Sequence, residues 1–496
     1  MRRVGPAVLA VLVAATGLVG CSDDDAAPQA RSEPRPSAET TRPAPTDGVD
    51  GGDGVGDPYF PQAGNSGYQV ERYDLVMDVR IAGPDRLDAT ATITLVPTED
   101  LRSFHLDLLG FEVSKVTVDD ADATFARDGR ELIVTPARQL VEGDTTTVVV
   151  AYSGSPGRTG SSSPAGGLIG DGGWVDLGDD WSTVIAEPVG AATWFPSNDH
   201  PSDKAIVNVT ATVPAGVGAR AGGRPGEGPH PPGPPPLPRG AGEPPSPYPP
   251  SLTVGDMQLS EKDGPAGIRI LDGVPARRPE LLDGALSRFP EMITFFGQRF
   301  GPYPFRDAGN VIVPGLEPVA LETQTRSVHS ESILEPALGT LPDEVTAHEL
   351  THQWFGDAVG PADWSMIWLN EGFATYGEWL WLEHIGGRTV MESARAAHDG
   401  DPDLNVPPAA PGVGQLFGRT VYQRGGMFLV ELGRLLGQPT FDQLLTTWVD
   451  QHRFGVATTE QFVALAVEMA GPAKGAQVTA LADAWLHAER IPELTP

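Results

Sequence analysis

The sequence predicts a multidomain α+β protein in which an N-terminal antiparallel β-sandwich precedes a mixed α/β domain. Three observations lead to this class. The chain has 496 residues, enough for about three domains of about 150 residues each. Apolar residues alternate with a period of two in the first half and recur with a helical period after residue 270. Apolar residues make up 40% of the chain, which is sufficient for folded cores because the glycines and prolines are clustered.

The first 20 residues are typical of a secretion signal. Arg2 and Arg3 form a positive region, and residues 4–20 form an apolar stretch. The sole cysteine, Cys21, follows Leu-Val-Gly, and this resembles the bacterial lipobox, in which the thiol is acylated and the chain is cut before it. We therefore expect residues 1–20 to be a lipoprotein signal peptide and the mature protein to be extracytoplasmic, with lipidated Cys21 as its membrane anchor. The alternative is an ordinary signal peptide or uncleaved anchor with an incidental cysteine.

Two segments follow the signal. Residues 21–57 contain almost no large apolar side chain, so they predict a disordered tether. Residues 58–255 predict the β-sandwich, because apolar and polar positions alternate through residues 73–81 and 87–95 on either side of a Gly-Pro turn. Further strand-like runs lie at residues 104–108, 113–118, 131–135, 146–152 and 205–213.

An anomalous stretch interrupts the predicted sandwich. Residues 215–250 contain 13 prolines and 9 glycines, a composition that excludes both a central strand and a helical run. Strand-like patterns end before this stretch and resume at Leu252. Two explanations stay open, namely a polyproline-like or disordered loop and a segment translated from a locally shifted reading frame.

The second domain is predicted over residues 256–496. An apolar face recurs at helical spacing from Leu281 to Phe296. An extended run is predicted at residues 310–313, and further helices lie near residues 342–357, 370–384, 421–436 and 459–469.

Charge and cysteine content exclude several kinds of function. The chain has 34 basic and 66 acidic residues, a formal net charge of -32, so a surface that neutralises nucleic-acid phosphates is not expected. A single cysteine excludes an intrachain disulfide and a cysteine-based zinc finger. Any metal must therefore be held by histidines and carboxylates.

One segment has the residue types and spacing of a metal site. His348-Glu349-Leu-Thr-His352 lies within a predicted helix, where positions i and i+4 share one face, so both imidazoles can reach one ion. A catalytic zinc needs a third protein ligand, and Glu371 lies 19 residues after His352 at the start of the next helix. We expect one zinc ion bound by two histidines and one glutamate.

With these motifs the chain resembles the aminopeptidase N family of zinc metallopeptidases, the gluzincins of membrane alanyl aminopeptidase type. The resemblance includes the segment from His348 to Asp357 and the Trp-Leu-Asn-Glu371-Gly-Phe stretch. It implies that the second domain is a thermolysin-like catalytic domain. It also implies that His348, His352 and Glu371 bind zinc and that Glu349 is the general base.

The resemblance implies three further roles. Tyr422, in Tyr-Gln-Arg-Gly-Gly-Met, matches the tyrosine that stabilises the oxyanion. Glu322, in Val-Ala-Leu-Glu-Thr, matches the acidic residue of the Gly-Ala-Met-Glu-Asn exopeptidase motif, although three of its neighbours differ from that motif. Glu187, in Ile-Ala-Glu-Pro, matches a β-domain residue that also contacts the substrate amine.

These residues predict a zinc-dependent aminopeptidase that removes N-terminal residues from peptides outside the cytoplasm. Its expected partners are peptide substrates and, through Cys21, a membrane. The alternatives are a zinc endopeptidase or other hydrolase, and a peptide-binding lipoprotein without turnover.

Overall fold

The computed structural model describes residues 48–81, 83–159, 172–178, 180–221, 224–225, 251–400 and 404–495. Long alternating segments form its largest sheet, since side chains on successive strand residues point to opposite faces. Leu75, Ile93 and Val150 are buried on the inner face of that sheet. Within the described residues its strands run, in spatial order, Arg224–Pro225, Ile206–Thr212, Tyr68–Arg80, Arg86–Pro97, Thr146–Gly154, Glu112–Val118 and Ala121–Asp122.

Two four-stranded sheets complete the N-terminal part. The first contains Val49–Asp50, Leu101–Asp107, Glu131–Thr135 and Thr124–Asp128, and the second contains Gly173–Gly178, Trp181–Ile185, Leu252–Gly255 and Gly218–Ala221. Phe104 and Val134 from the first and Val184 from the second share one apolar cluster with the large sheet. The packed layers agree with the predicted sandwich.

The structure differs from the sequence-based description of this part in three places. Ile206–Thr212 pairs parallel with Tyr68–Arg80 in an otherwise largely antiparallel sheet. Val49–Asp50 pairs with Leu101–Asp107, so the end of the predicted tether is ordered. Gly218–Ala221, which lies inside the anomalous stretch, forms a strand that pairs with Leu252–Gly255. This strand contains no proline, so each of its residues has a backbone N–H that can donate.

A six-stranded sheet begins the second half of the chain. It contains Met257–Asp263, Arg269–Pro275, Asn310–Val313, Ser327–Ser330 and Ala320–Leu321, with Asp307–Ala308 beside the second of these. The short Ala320–Leu321 strand ends immediately before Glu322 and thereby places this carboxylate at the sheet edge. Val359–Pro361 and Gly455–Ala457 form a separate parallel pair.

Seven α-helices lie in the described part of the second half. They are α1 (Phe289–Phe300), α2 (Leu341–His352), α3 (Trp368–His384), α4 (Val390–Gly400), α5 (Gly425–Leu436), α6 (Gln438–His452) and α7 (Thr459–Ala482). Pro290 lies in the first turn of α1, where its missing N–H has no intrahelical partner to lose. The Thr458 hydroxyl accepts from the backbone N–H of Gln461 in a reciprocal capping box that begins α7, typically worth about 1 kcal/mol.

Several helix boundaries differ from the periodic pattern. Helix α2 ends at His352 rather than continuing to Asp357, and α5 is preceded by a π-helical turn at Thr420–Arg424. Helix α7 extends beyond Met469, through a break at Gly471 where φ is 66°. Within the described ranges, no helix combines the length and the apolar character needed to cross a membrane.

Candidate metal and peptide site

Helices α2 and α3 position the central residues of the site. His348, Glu349 and His352 lie in the last turns of α2, and Glu371 lies in the first turn of α3. The two helices approach closely where Gly377 faces Thr351. A Cβ atom on Gly377 would lie 2.1 Å from the Thr351 hydroxyl, so only glycine permits this separation between the helices.

The three predicted metal ligands converge on one point. One oxygen of Glu371, Oε2, is 3.2 Å from His348 Nε2 and 3.5 Å from His352 Nε2. One ligand atom from each residue lies within 4.8 Å of the other two. All three side chains are largely buried, so the group faces a confined space rather than bulk water.

The hydrogen bonds of the two outer ring nitrogens, the Nδ1 atoms of His348 and His352, determine which nitrogen of each ring is left with a lone pair for a metal. His352 Nδ1 lies 3.1 Å from the carbonyl oxygen of Phe355, which can only accept, so Nδ1 carries the proton. His348 Nδ1 lies 2.5 Å from Glu378 Oε1 and donates to that carboxylate. In the neutral rings both Nε2 atoms therefore present lone pairs to the same point.

The clustered carboxylates and histidines shift one another's pKa values when no metal ion is bound. Burial opposes charge on His352, but the carboxylates of Glu322 and Glu371 outweigh it and raise the pKa of His352 to about 9. Burial acts in the opposite direction on Glu371, and the two histidines overcome it and lower the pKa of Glu371 to about 2. A cation in this space replaces these protons as the partner of the acids.

The donor set fits zinc. Two imidazole nitrogens and one carboxylate oxygen are the ligands of a catalytic zinc site with an open position. The hydrogen bonds that both outer Nδ1 atoms donate, to the Phe355 carbonyl and to Glu378, fix the ring orientations as in other histidine-bound metal sites.

Glu349 and Tyr422 lie next to this group. Burial is the largest cause that raises the pKa of Glu349 to about 8. Its Oε2 atom has no hydrogen-bond partner among the described residues. The Tyr422 ring stacks against the His348 ring with centroids 5.8 Å apart and planes inclined by 18°. Burial, and then the Glu371 and Glu187 carboxylates, raise the pKa of Tyr422 well above 10, so its hydroxyl keeps its proton and can donate.

Two further carboxylates join the site from the sheets. Glu187 follows the Trp181–Ile185 strand, and Glu322 follows Ala320–Leu321. One oxygen from each lies within 4.8 Å of the other and of a Glu371 oxygen. Burial, and then repulsion from Glu322, raise the pKa of Glu187 well above its usual range. The sequence-predicted amine-binding residues are therefore brought together with the predicted metal ligands.

Comparison with known proteins agrees with this geometry. Residues 285–485 match the Peptidase family M1 domain. The chain is 28% identical to an M1 zinc metallopeptidase from Deinococcus radiodurans, with a TM-score of 0.77, and the match covers 89% of this chain and 99% of that one.

The chain carries a peptidase family M1 domain and resembles aminopeptidase N. The sequence-based identification of the family and of zinc as its metal is thereby confirmed. Aminopeptidase N of Lactobacillus delbrueckii subsp. lactis is 31% identical over 176 residues, which are 32% of this chain and 21% of that protein. Aminopeptidase 2 of Candida albicans is 28% identical over 219 residues, 39% of this chain and 23% of that protein. The chain thus spans about a quarter of the length of the curated relatives it matches.

One site residue was not identified from the sequence. Glu378 accepts from His348 Nδ1 and was not singled out. It lies seven residues after Glu371 in α3, so the two carboxylates share one helix face. That spacing is the signal that could have identified it.

Two features predicted from the sequence lie outside the described residues. They are Cys21 with the signal segment, and most of the anomalous stretch, namely residues 222–223 and 226–250. Lipidation therefore stays a prediction.

Proposed function

We propose that the protein is a zinc-dependent aminopeptidase that hydrolyses N-terminal residues from peptides outside the cytoplasm. The observation that carries this proposal is the position of two buried carboxylates, Glu187 and Glu322, beside the metal-ligand group. A metal site alone cannot distinguish the end of a peptide from its middle, whereas this pair can.

The distinction is electrostatic. A free N-terminus carries an α-ammonium group, and each carboxylate attracts it by about 4 kcal/mol at 4 Å if the effective dielectric constant is near 20. Among the described residues, no lysine or arginine forms an ion pair with either glutamate. Glu322 lies 3.8 Å from His352 Nδ1. The substrate ammonium would supply the missing cation. An internal peptide bond or an acylated N-terminus would leave both acids without one.

The chain's own residues account for the proton transfers. Zinc at the site supplies Lewis-acid chemistry, which lowers the pKa of water toward about 7 and polarises a carbonyl. Glu349 accepts the proton of the attacking water and delivers it to the leaving amine. The Tyr422 hydroxyl donates to the oxyanion as negative charge develops there.

The relatives support this assignment. The curated proteins that match are named aminopeptidases. A mutant of the Deinococcus radiodurans M1 protein was solved bound to a Tyr-Ser-Ala substrate, a short peptide of the class proposed here.

The decisive experiment compares free and N-acetylated aminoacyl anilides with the zinc-loaded enzyme. We expect turnover of the free forms only. Glu187→Gln should raise KM for the free anilides at least tenfold, whereas Glu142→Gln, at an exposed position on the β-sandwich, should not. Equal cleavage of blocked peptides would favour an endopeptidase. Peptide binding by zinc-loaded protein without any turnover would favour a non-catalytic lipoprotein.

The proposed location rests on Arg2, Arg3, the apolar stretch and Cys21. Acylation at Cys21 would hold the mature protein at the outer face of the membrane. Expression of the full chain and of Cys21→Ser in a bacterial host tests this by fractionation and mass spectrometry. Acyl mass on Cys21 and release of the variant from membranes are expected, and an unmodified Cys21 in the mature chain would contradict the proposal.

A further inference from the structure

Arg424 is a fully buried cation whose described contacts all go to backbone carbonyl oxygens. Its side chain is 0% exposed. Its contacts are Nε to Trp485 at 2.7 Å, Nη1 to Leu404 at 3.1 Å, Val406 at 3.2 Å and Glu489 at 3.3 Å, and Nη2 to Ala484 at 3.1 Å and Ala488 at 2.5 Å. The three nitrogens carry five N–H donors, so the whole guanidinium is engaged.

These acceptors belong to two segments that are distant in sequence. One is the loop at residues 404–406. The other is the π-helical turn Asp483–His487 after α7, together with the two residues that follow it. The last carbonyls of a helix have no intrahelical partners and lie at the negative end of its dipole. Arg424 satisfies them, and this contact compensates for burying its charge.

The same residue ends the turn that carries Tyr422. The π-helical turn runs Thr420–Arg424, with Tyr422 at its centre. Its first residue is also attached to the loop at 404–406, because the Thr420 hydroxyl donates to the Val406 carbonyl at 2.5 Å. Both ends of the five-residue turn are therefore held by the same loop.

The residue that follows the turn packs closely against the metal-binding helix α3. A Cβ atom added to Gly372, which follows the ligand Glu371, would lie 3.0 Å from the backbone of Gly425. The C-terminal end of the Tyr422 turn is therefore held by two features, the close contact of Gly425 with α3 and the carbonyl contacts of Arg424. A shift of the turn relative to residues 404–406 and 484–489 would break these carbonyl contacts.

We propose that Arg424 is a positioning residue for catalysis, which holds the Tyr422 hydroxyl at the oxyanion by fixing the turn Thr420–Arg424 against residues 404–406 and 484–489. This inference rests on the proposed role of Tyr422. Lysine cannot replace arginine here, because all three of its N–H donors are on one nitrogen atom. They cannot reach carbonyl acceptors on both segments.

The test is a double-mutant cycle on the zinc-loaded enzyme with an aminoacyl anilide. R424K should lower kcat about tenfold or more, as a displacement of about 1 Å can, with KM within about twofold and zinc content unchanged. Y422F should lower kcat about 100-fold. In the Y422F background R424K should change kcat by less than about twofold, because the group it positions is already absent.

Arg434→Lys is the matched control. Arg434 lies near the other end of α5 and donates to the Thr495 carbonyl at 2.5 Å, so it contacts the same C-terminal region without adjoining Tyr422. Its kcat should equal that of wild type. Circular dichroism and zinc content define the folded fraction, and Arg424→Gln replaces R424K in the cycle if the lysine variant is unfolded.

Three kinetic results would overturn the inference, namely an unchanged kcat in R424K, an equal loss in both backgrounds, and a Y422F enzyme as active as wild type. Binding of a phosphinic peptide, an oxyanion mimic, is measured in parallel by calorimetry and requires no turnover. R424K and Y422F should weaken it together, and intact binding in R424K would also overturn the inference. Wild-type protein that binds this mimic but hydrolyses no anilide would instead contradict the proposed function.

Discussion

The two halves of the molecule both bury clusters of carboxylates, but they balance the negative charge differently. In the β-sandwich, Asp107 and Asp199 surround Arg130, whose Nε lies 2.7 Å from Asp107 and whose Nη2 lies 3.5 Å from Asp199. In the site, no lysine or arginine of the described ranges forms an ion pair with Glu187, Glu322 or Glu349, and the basic neighbours of Glu322 and Glu349 are His348 and His352. The sandwich acids have a resident cation, whereas the site acids require cations from outside. This difference supports the proposal that the second cluster binds a metal and an ammonium group.

The largest expected effect removes a proton acceptor from the site cluster. Glu349→Gln should reduce kcat by about 1,000-fold or more, because general-base catalysis typically contributes 10²–10⁴. Zinc content should remain at one per chain, since Glu349 is not among the three convergent ligands. Anilide kinetics and metal analysis check both quantities. Undiminished turnover would remove Glu349 from the mechanism.

The matching change in the sandwich cluster should affect stability instead of chemistry. Arg130→Met leaves Asp107 buried without its cation and should lower the free energy of unfolding by about 3 kcal/mol or more. Zinc content and kcat per folded molecule should stay at the wild-type level. Urea unfolding measures the free energy of unfolding. Arg102→Met is the control, because the Arg102–Asp50 pair is more than half exposed and should contribute less than about 1 kcal/mol. Equal effects of the two variants would contradict the comparison.

A smaller effect is expected where helix packing supports the site cluster. Gly377→Ala introduces a Cβ atom against Thr351 and should cost about 1–3 kcal/mol of stability by overpacking, with weaker zinc binding because α2 and α3 must separate. Gly297→Ala in α1 is the control. A Cβ atom there meets nothing within 4 Å, so it should be neutral or stabilise by up to about 1 kcal/mol. Thermal unfolding and a chelator competition measure both variants, and unchanged zinc affinity in Gly377→Ala would contradict the packing argument.

The last expected effect concerns the pH dependence of the sandwich. Burial, and then Asp107, raise the pKa of Glu131 to about 8, so the folded protein holds a proton that the unfolded chain releases near pH 4.5. The free energy of unfolding should therefore fall as pH rises from about 5 to 8, by at most about 1.4 kcal/mol per pH unit from this group.

Glu131→Gln tests this dependence. The stability of the variant relative to wild type should increase between pH 5 and pH 8 in urea unfolding, whereas that of Glu142→Gln should not change. A relative stability that is the same at both pH values would show that Glu131 does not titrate in this range.

Much of the fold and of the site could be predicted because each relies on short-range patterns. Period-two alternation identified the sandwich strands, and i, i+4 spacing identified His348 and His352. The parallel partner of Tyr68–Arg80 could not be predicted, since alternation is the same in parallel and antiparallel strands. The π-helical turn at Tyr422 was also missed, because one inserted residue leaves the apolar period nearly unchanged.

Composition was misleading where hydrogen bonds replace apolar packing. Residues 48–57 have a tether-like composition, yet Asp57 accepts from the backbone N–H groups of Tyr59, Phe60 and Trp364. It also lies 3.0 Å from His200. These contacts depend on distant segments, so local composition cannot reveal them.

The Asp57 junction has a practical consequence for recombinant work. A single carboxylate connects the N-terminal segment to the sandwich through His200 and to the entrance of α3 through Trp364. A shortened protein should therefore start no later than Gly48. One that begins at Tyr59 would lose this connection and should be less stable, even though every residue proposed to act on the peptide would still be present.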